Sequence, residues 1–346
     1  MTLRTRDQAD IVDAVVAFHL NAGVDFVIAT DHRSDDGTVE IMESYAREGY
    51  LSLLREHGEE VRGQAWRTRM ARMAATEYGA DWTFSCDGDE FFWPRGGSLK
   101  DVLDAVPELY GIVRCPVHDF LVRPDDGAAF WERMTLRLAP RASMNNPAGH
   151  RPAVMKVVHR ADPTIVVNRG NHAVYGTSLR PLPGWHPIEI LHFPIRALAQ
   201  YERKLAAWGR AFGDRAYGLG YKAHREGRLG VHYAALSVDD RLLARGLEEG
   251  LLLVDTRLRD VLRELRLSPP PPGEAGTPQL SLSSDLRSLS ARPLGPQETV
   301  ALAADLEVVN DAQLVRLQRR VDLLSAQVAS LERRLARRLR RSRVRA

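Results

Sequence analysis

Apolar segments of strand length alternate with amphipathic segments of helical length over roughly the first 100 residues. The strand-like segments include MTLRT, VDFVIAT, YLSLLRE and DWTFSC. The segment between the first two strands, DQADIVDAVVAFHLNAG, has helical spacing, with Asp7 as its N-cap and Gly23 as its stop. Helices of this length between strands indicate parallel βαβ units. We therefore predict an α/β fold with a doubly wound, mostly parallel sheet.

The pattern changes three times further along the chain. After about residue 110 the segments are strands and loops rich in His and Arg, followed by the amphipathic helix RALAQYERKLAAWGRAF. Pro and Ser then dominate SPPPPGEAGTP and its surroundings, which is typical of a linker. We predict an α/β body with two halves, a helical extension, a Pro/Ser-rich linker, and a coiled coil with a basic tail, spanning in order 1–110, 111–215, 216–267, 268–300 and 301–346.

The C-terminal segment carries a heptad pattern and then a run of arginines. Apolar residues recur at 3,4 spacing at Leu314, Leu317, Val321, Leu324, Val328, Leu331 and Leu335. We expect this coiled coil to form a homo-oligomer through residues 310–338. The last 14 residues hold eight Arg and no acid, a charge that suits an anionic membrane surface. Because aromatic residues are not interleaved with these arginines, we expect no specific nucleic-acid partner.

Charge and cysteine content narrow the class of protein. The net charge is +3, so without the arginine run the remainder carries about −5. The two Cys have no zinc-site spacing and are too few for a disulfide framework. The N-terminus lacks the pattern of a signal peptide, and no apolar run approaches the length of a membrane span. We expect a cytoplasmic protein, or one peripheral to the inner face of the membrane.

The segment CDGDEFF places three carboxylates within four positions directly after an apolar strand. Asp87 and Asp89 flank Gly88, which permits a close approach of the backbone. In an extended segment their side chains point to the same side, where they could share a hard divalent cation. Mg²⁺ and Mn²⁺ commonly take their other ligands from water and substrate phosphates. The alternative is a solvated acidic turn, or the start of a helix whose dipole favours acids.

A second acidic cluster, DHRSDDGT, also follows a predicted strand. In a doubly wound sheet, ligands bind beyond the carboxyl ends of the strands, where Asp31 could accept hydrogen bonds from a ribose or a base. Ser34 and Thr38 are better explained as residues that cap the next helix. For Asp31 and Asp36 we favour ligand contact over capping.

The two clusters together resemble a known enzyme family. DHRSDDGT is similar to the D-N-x-S-x-D-G-T signature of family 2 glycosyltransferases, and DGDEFF resembles their D-x-D element. The opening 30 residues resemble a bacterial subgroup of that family related to family 92, and the likeness covers roughly residues 1–210. It implies a GT-A fold, a nucleotide-diphosphate sugar donor, a glycan or other envelope acceptor, and a divalent cation, Mn²⁺ or Mg²⁺.

The resemblance also implies roles for individual residues on the donor side. Asp7, Asp31, Asp36 and Asp87 would bind the nucleotide sugar. The subgroup usually carries Asn-Glu or Asp-Glu where this chain has Asp7 followed by Gln8. By the same resemblance, residues 1–110 form the nucleotide-binding half.

A metal site is the next feature that the resemblance implies. Asp87 and Asp89 would serve the metal and the diphosphate, and His192, in EILHFP, could complete the metal shell. Glu90 could contact the metal ligands without binding the metal itself, or it could lie on the acceptor side.

The acceptor half, 111–215, must supply a general base if transfer inverts the sugar's configuration. Our candidates for this base are Glu189 and His172. Other acids and imidazoles of this half, without a motif to single one out, are Asp119, Glu132 and His118. The indoles of Trp93, Trp131 and Trp185 could stack on a sugar, but for all three we favour packing in the core or at its rim.

Two other functions remain compatible with the sequence. A metal-dependent nucleotidyltransferase would use the same fold, but a Gly-rich phosphate loop with a paired Lys is not seen near the N-terminus. A non-catalytic α/β scaffold that associates through its coiled coil would explain the unusual Asp7-Gln8 pair.

Overall fold

The computed structural model describes residues 1–138, 154–212, 218–237 and 240–266. The predicted linker and coiled coil lie outside the described residues. The strands are β1 (Thr2–Thr5), β2 (Val27–His32), β3 (Leu51–Glu56), β4 (Trp82–Asp87), β5 (Glu90–Pro94), β6 (Ile112–Asp119), β7 (Leu136–Leu138), β8 (Met155–Arg160), β9 (Val166–Val167), β10 (Val174–Tyr175), β11 (Ile188–His192) and β12 (Leu252–Val254). The helices are α1 (Val12–Asn21), α2 (Thr38–Arg47), α3 (Gly63–Thr76), α4 (Leu99–Asp104), α5 (Phe130–Arg133), α6 (Leu198–Phe212), α7 (Leu219–Arg225), α8 (Leu229–Leu236), α9 (Asp240–Glu248) and α10 (Arg257–Arg266).

Eight strands form one sheet in the order β3-β2-β1-β4-β8-β6-β11-β5. The first four run parallel to one another, and so do β6 and β11. Strands β8 and β5 run in the opposite direction to their neighbours. This topology confirms the prediction of an α/β fold with a mostly parallel sheet, and it adds two antiparallel strands that the sequence pattern did not specify.

The antiparallel strand β8 lies between β4 and β6. Its register pairs Trp82 with Arg160 and Phe84 with Val158, so the start of β8 lies at the carboxyl end of β4. Lys156, near the start of β8, therefore lies beside Asp87 at the end of β4. A residue from the second half of the sheet thus reaches the first acidic strand end.

The second antiparallel strand, β5, begins directly after the acidic turn. Glu90 of β5 pairs with His192 at the end of β11. The chain reverses through Gly88 and Asp89, and the end of β11 lies next to this reversal. A contact between residues about a hundred positions apart is thereby fixed by strand pairing.

The main hydrophobic core extends from the first strand to the last described helix. Leu3 of β1, Phe18 of α1 and Phe91 of β5 belong to it, together with Leu258 and Leu262 of α10. Helix α10 is thus packed into the body of the α/β domain, beyond residue 215. Among the residues that the structure describes, no helix combines the length and the apolar character that crossing a membrane requires.

Candidate functional site

Thr5, at the end of β1, joins the two acidic clusters at one edge of the sheet. Its hydroxyl donates to Asp31 Oδ1 at 3.4 Å. On its other side, a Cβ added to Gly88 would lie 3.6 Å from Thr5 Cγ2 and 3.2 Å from Gln8 Cγ. Asp31 and the turn that carries Asp89 are therefore neighbours around Thr5 and Gln8, as expected for strand ends of one sheet.

Asp31 is buried and holds the loop that follows β2. It accepts hydrogen bonds from the Ser34 amide at 3.1 Å and from the Ser34 hydroxyl at 2.5 Å. The same hydroxyl oxygen accepts from the Asp7 amide at 2.9 Å, so the loops after β1 and β2 are linked. Asp7 lies in the left-handed region at φ 51°, and partial burial raises the pKa of its carboxyl group. Asp7 and Asp31 are brought together through Ser34.

Asp36 organises the same pair of loops. Its carboxylate accepts from the Ala9 amide at 3.0 Å and from the Thr38 amide at 3.1 Å. The Thr38 hydroxyl also donates to it, while accepting from the Gln8 amide at 2.7 Å. The bond to the Thr38 amide satisfies one free N–H at the start of α2. The N-cap of this helix is Gly37, so the prediction that Ser34 and Thr38 cap it was wrong. Contact of Asp36 with a nucleotide stays a prediction.

Asp87 is surrounded by cationic side chains of the protein. Arg67 of α3 donates to Oδ1 at 2.5 Å, Lys156 donates to Oδ2 at 2.7 Å, and Arg4 lies 3.7 Å from Oδ1. Burial opposes ionisation of this carboxyl, but Lys156, Arg67 and Arg4 hold its pKa well below the usual range. The carboxylate is therefore ionised and neutralised from within the protein.

Glu90 shares Lys156 with Asp87. The Lys156 ammonium forms an ion pair with Glu90 Oε1, and both side chains are almost fully buried. Burial raises the pKa of Glu90, and the Asp87 charge acts in the same direction. The Nε groups of Arg4 and Arg67 are buried and have no hydrogen-bond partner among the described residues. Arg4 and Arg67 thus retain N–H groups that could donate hydrogen bonds beside the acidic turn.

Asp89 contacts two other basic groups. Lys204 of α6 donates to Oδ2 at 2.8 Å, and His192 Nε2 lies 3.5 Å from Oδ1. Burial opposes its ionisation, but Lys204 and His192 hold the pKa of Asp89 well below its usual range. Asp89 is therefore a fixed negative charge at this edge of the sheet.

His192 is oriented by a carboxylate on its far side. Its Nδ1 donates to Asp119 Oδ1 at 2.6 Å, which directs Nε2 towards Asp89. Burial lowers the pKa of the imidazole, but Asp89 and Asp119 outweigh it and raise the pKa to about 10. A carboxylate behind Nδ1 is the arrangement commonly seen behind a metal-ligating histidine.

The donor set around His192 fits a divalent cation. One ligand atom from each of Asp89, Glu90 and His192 lies within 4.8 Å of the others. Carboxylate oxygens suit Mg²⁺ and Mn²⁺, and an imidazole is compatible with Mn²⁺ and other transition metals. The sequence predicted Asp87, Asp89 and His192 as metal ligands. The structure instead groups Glu90 with Asp89 and His192, whereas Asp87 is paired with Arg67 and Lys156. Asp89 and His192 are the two predicted ligands that the structure brings together.

The two candidate bases are placed differently. Glu189 is buried, ion-paired with Arg257, and 3.1 Å from both Arg95 Nη2 and His118 Nε2. Burial opposes ionisation, but Arg257 and Arg95 hold the pKa of Glu189 well below its usual value. His172 is exposed on the loop between β9 and β10, and its Nδ1 is 2.9 Å from the Met155 carbonyl oxygen at the start of β8. Within the described residues, neither side chain forms a hydrogen bond or ion pair with Asp89.

The remaining acceptor-side candidates have mostly structural contacts. Glu132 accepts from Arg263 of α10 at 2.8 Å. Trp93 and Trp131 are buried in the core, which supports packing as their role. Trp185 is 41% exposed and stays compatible with a sugar contact.

Sequence reasoning missed the cations of this site. Arg67, Lys156 and Lys204 come from α3, β8 and α6, which are far from the acidic turn in sequence. One compositional signal was available, since the chain has only four Lys and two of them contact this turn. Arg196 was also missed; it is buried and ties Asp10 to the segment after β11.

Part of the chain matches the model of a protein family. The model of glycosyltransferase family 92 matches residues 3–162, just under half of the chain. The match supports the prediction of a glycosyltransferase and is in line with the predicted resemblance to family 92. Assignment to family 2 stays a prediction.

Comparison with solved structures gives remote likenesses. S. aureus TarS 1-349 in complex with UDP is 12% identical, with 92% of this chain and 90% of that chain covered and a TM-score of 0.32. Glucosyl-3-phosphoglycerate synthase from Mycobacterium tuberculosis, in complex with Mn²⁺, UDP and glucosyl-3-phosphoglycerate, is 16% identical. Here 46% of this chain and 55% of that chain are covered, with a TM-score of 0.26. Because these TM-scores are low, the fold assignment rests on the strand order. None of the curated proteins matches this chain.

Proposed function

We propose that this glycosyltransferase moves a sugar from a nucleotide-diphosphate donor to a glycan or other envelope acceptor, with a divalent cation and inversion of configuration. The observation that carries the proposal is the Asp89–His192 pair, directed by Asp119, at the same sheet edge as Asp31. A donor needs a nucleoside pocket and a diphosphate site side by side, and adjacent strand ends can supply both. The family 92 match, which includes Asp31 and Asp89, favours sugar transfer over nucleotidyl transfer.

The nucleoside would lie over the loops after β1 and β2. Asp7 and Asp31 are linked through Ser34, and Asp36 fixes the backbone of both loops. We assign the ribose or base to Asp7 and Asp31, with Asp36 as support. Asp87, paired with Arg67 and Lys156, would orient these cations towards the diphosphate.

Asp89 and His192 would hold the cation, with Glu90 next to them. When bound, the cation would supply a Lewis acid that stabilises the departing nucleoside diphosphate. The chain's own contribution is orientation. Asp119 directs the imidazole, and Lys156 forms ion pairs with both Glu90 and Asp87, which offsets the repulsion between these two carboxylates. Burial of this turn limits access of water to the diphosphate.

The general base remains a proposal between two residues. His172 is exposed at the edge where β8 begins, so an acceptor hydroxyl could reach its imidazole. Glu189 is buried between Arg95 and Arg257, and its low pKa makes it a weak base. We therefore favour His172.

Thermal-shift measurements test the proposal. We expect the nucleoside diphosphates UDP or GDP to raise the melting temperature of the full chain more in Mn²⁺ than without metal, because a ligand that binds only the folded state stabilises it. Asp89→Asn should remove the metal-dependent part of the shift. The matched control is Asp104→Asn on α4, an exposed acid away from the turn, which should keep it. A chain that neither of these nucleotides stabilises with Mn²⁺, or an Asp89→Asn variant that keeps the full metal-dependent shift, would contradict the proposal.

A further inference from the structure

The two lysines at the acidic turn are held in different ways. Lys156 lies between Asp87 and Glu90, and its side chain is 6% exposed. Lys204 contacts one carboxylate, Asp89, and the Pro194 carbonyl oxygen at 3.0 Å, and its side chain is 36% exposed. Lys156 is thus fixed by two opposite charges in the interior, whereas Lys204 has one such partner among the described residues, and access to solvent.

Lys204 occupies the carboxylate that a cation would need. Its ammonium is 2.8 Å from Asp89 Oδ2, while Asp89 Oδ1 faces His192 Nε2 at 3.5 Å. A divalent cation between Asp89 and His192 would stand close to the ammonium, and like charges at such a distance repel. The Lys204 side chain has a flexible four-carbon stem, so its ammonium can leave Asp89 without movement of the helix.

The backbone at Lys204 is firmly held. Tyr201 and Leu205, on either side of it in α6, are buried in a cluster with Leu229 and Tyr233 of α8. A lysine whose backbone is fixed and whose ammonium is partly exposed can exchange one anion for another nearby. The anion expected beside this turn is the diphosphate of the donor, which carries the phosphate charge that lysine binds as a point charge.

We propose that Lys204 is a diphosphate-binding residue that occupies Asp89 until a cation arrives and then transfers its ion pair to the donor's diphosphate. The inference rests on the proposed function, since it takes the donor to be a nucleoside diphosphate sugar. Lys204 therefore opposes binding of the cation alone and favours binding of the diphosphate. The exchange makes the cation and the diphosphate bind cooperatively, because the cation frees the lysine that the diphosphate uses.

Calorimetry on the full chain tests this exchange with two separate titrations, Mn²⁺ alone and UDP in the presence of saturating Mn²⁺. In Lys204→Met we expect Mn²⁺ to bind about tenfold more tightly and UDP to bind about tenfold more weakly than in the unaltered chain, a size typical of coupled sites. The matched control is Lys222→Met. Lys222 is an exposed lysine on α7, and its ammonium lies 4.0 Å from the Glu226 carboxylate. It should change neither affinity.

Opposite changes in the two affinities distinguish the exchange from a structural role. A structural lysine would weaken both titrations or neither, and either result overturns the inference. Lys204→Arg, which keeps the charge, should retain the cooperativity between Mn²⁺ and UDP, and its loss there would also count against the exchange. Tight binding of UDP with Mn²⁺ by the unaltered chain would leave the proposed function standing in each of these cases.

Discussion

At the scale of single residues, Lys156 is what allows the acidic turn to be buried. Three carboxylates within four positions would repel one another, and two of them, Asp87 and Glu90, share this one ammonium. The pKa of the Lys156 ammonium is raised, because the effect of the Asp87 and Glu90 charges is larger than the lowering caused by burial. The turn therefore has a charge partner whether or not a ligand is bound.

Lys156→Met should lower the free energy of unfolding at pH 7 by about 3–5 kcal/mol, because it leaves the buried Glu90 without its cation, while Asp87 keeps only Arg67 and Arg4. Without the ammonium, the pKa of Glu90, already raised in the folded state, rises further above its unfolded value. Stability of the variant is then highest below the unfolded pKa and falls as pH rises through the folded one. Urea unfolding should show the variant gaining stability between pH 7 and pH 5.

Asp87 contributes the opposite trend, at lower pH than the window of Glu90. The pKa of Asp87 is depressed in the folded state, so its contribution to stability is present above its unfolded pKa and disappears as pH falls. Lys100→Met serves as the control, since Lys100 pairs with the exposed Asp25 on the surface. A Lys156→Met variant whose stability does not rise on acidification would show that Lys156 is not the counter-charge of this turn.

The sequence predicted the acids of the site better than their partners. Asp31, Asp87 and Asp89 follow recognisable strands, so their placement at one edge follows from local pattern and the rule for parallel sheets. Arg67, Lys156 and Lys204 reach them from other elements, and their arrival depends on strand order, which no local pattern encodes. The grouping of Glu90 with His192 likewise depends on the pairing of β5 with β11.

At the scale of elements, the antiparallel strands and α10 carry the information that periodicity lacked. The βαβ units at the start of the chain were predictable because each is local. Strand β8 enters between β4 and β6 from a distant part of the sequence. Helix α10 was assigned to an extension, yet its apolar face lies in the main core with Phe91 and Phe130.

Leu262→Ala on α10 should lower the free energy of unfolding by about 2–5 kcal/mol, the usual cost of removing a fully buried leucine side chain. Leu262 is 0% exposed, whereas Leu219 on α7 is 78% exposed and gives the control Leu219→Ala. Urea denaturation followed by far-UV circular dichroism measures both. Equal and small effects of the two changes would mean that α10 is not part of the cooperative core.

At the scale of the whole molecule, the described residues form the α/β body, and the heptads and arginines lie outside them. The association through 310–338 and the contact of the tail with an anionic surface stay proposals. The first proposal rests on the 3,4 spacing of Leu and Val, and the second rests on the uneven distribution of charge.

Sedimentation equilibrium of the full chain and of a chain ending at residue 300 measures the association. We expect the full chain to sediment as an oligomer and the shorter chain as a monomer, because the heptads bury apolar residues only against another helix. Replacing Leu324 and Leu331 by Glu within the full chain is the matched variant and should also give a monomer. Identical monomeric masses for the full and the shortened chain would exclude this association.

The buried Arg196 has a consequence for any attempt to change donor preference. Its guanidinium bonds Asp10 at 2.6 and 2.9 Å, Gln8 at 3.0 Å and the Phe193 carbonyl oxygen at 2.9 Å. One side chain thus connects the loop after β1, to which we assign the nucleoside, to the segment that follows His192. Redesign of either loop alone would disturb the geometry of the other, so selections for new nucleotide specificity should vary both loops together and leave this arginine in place.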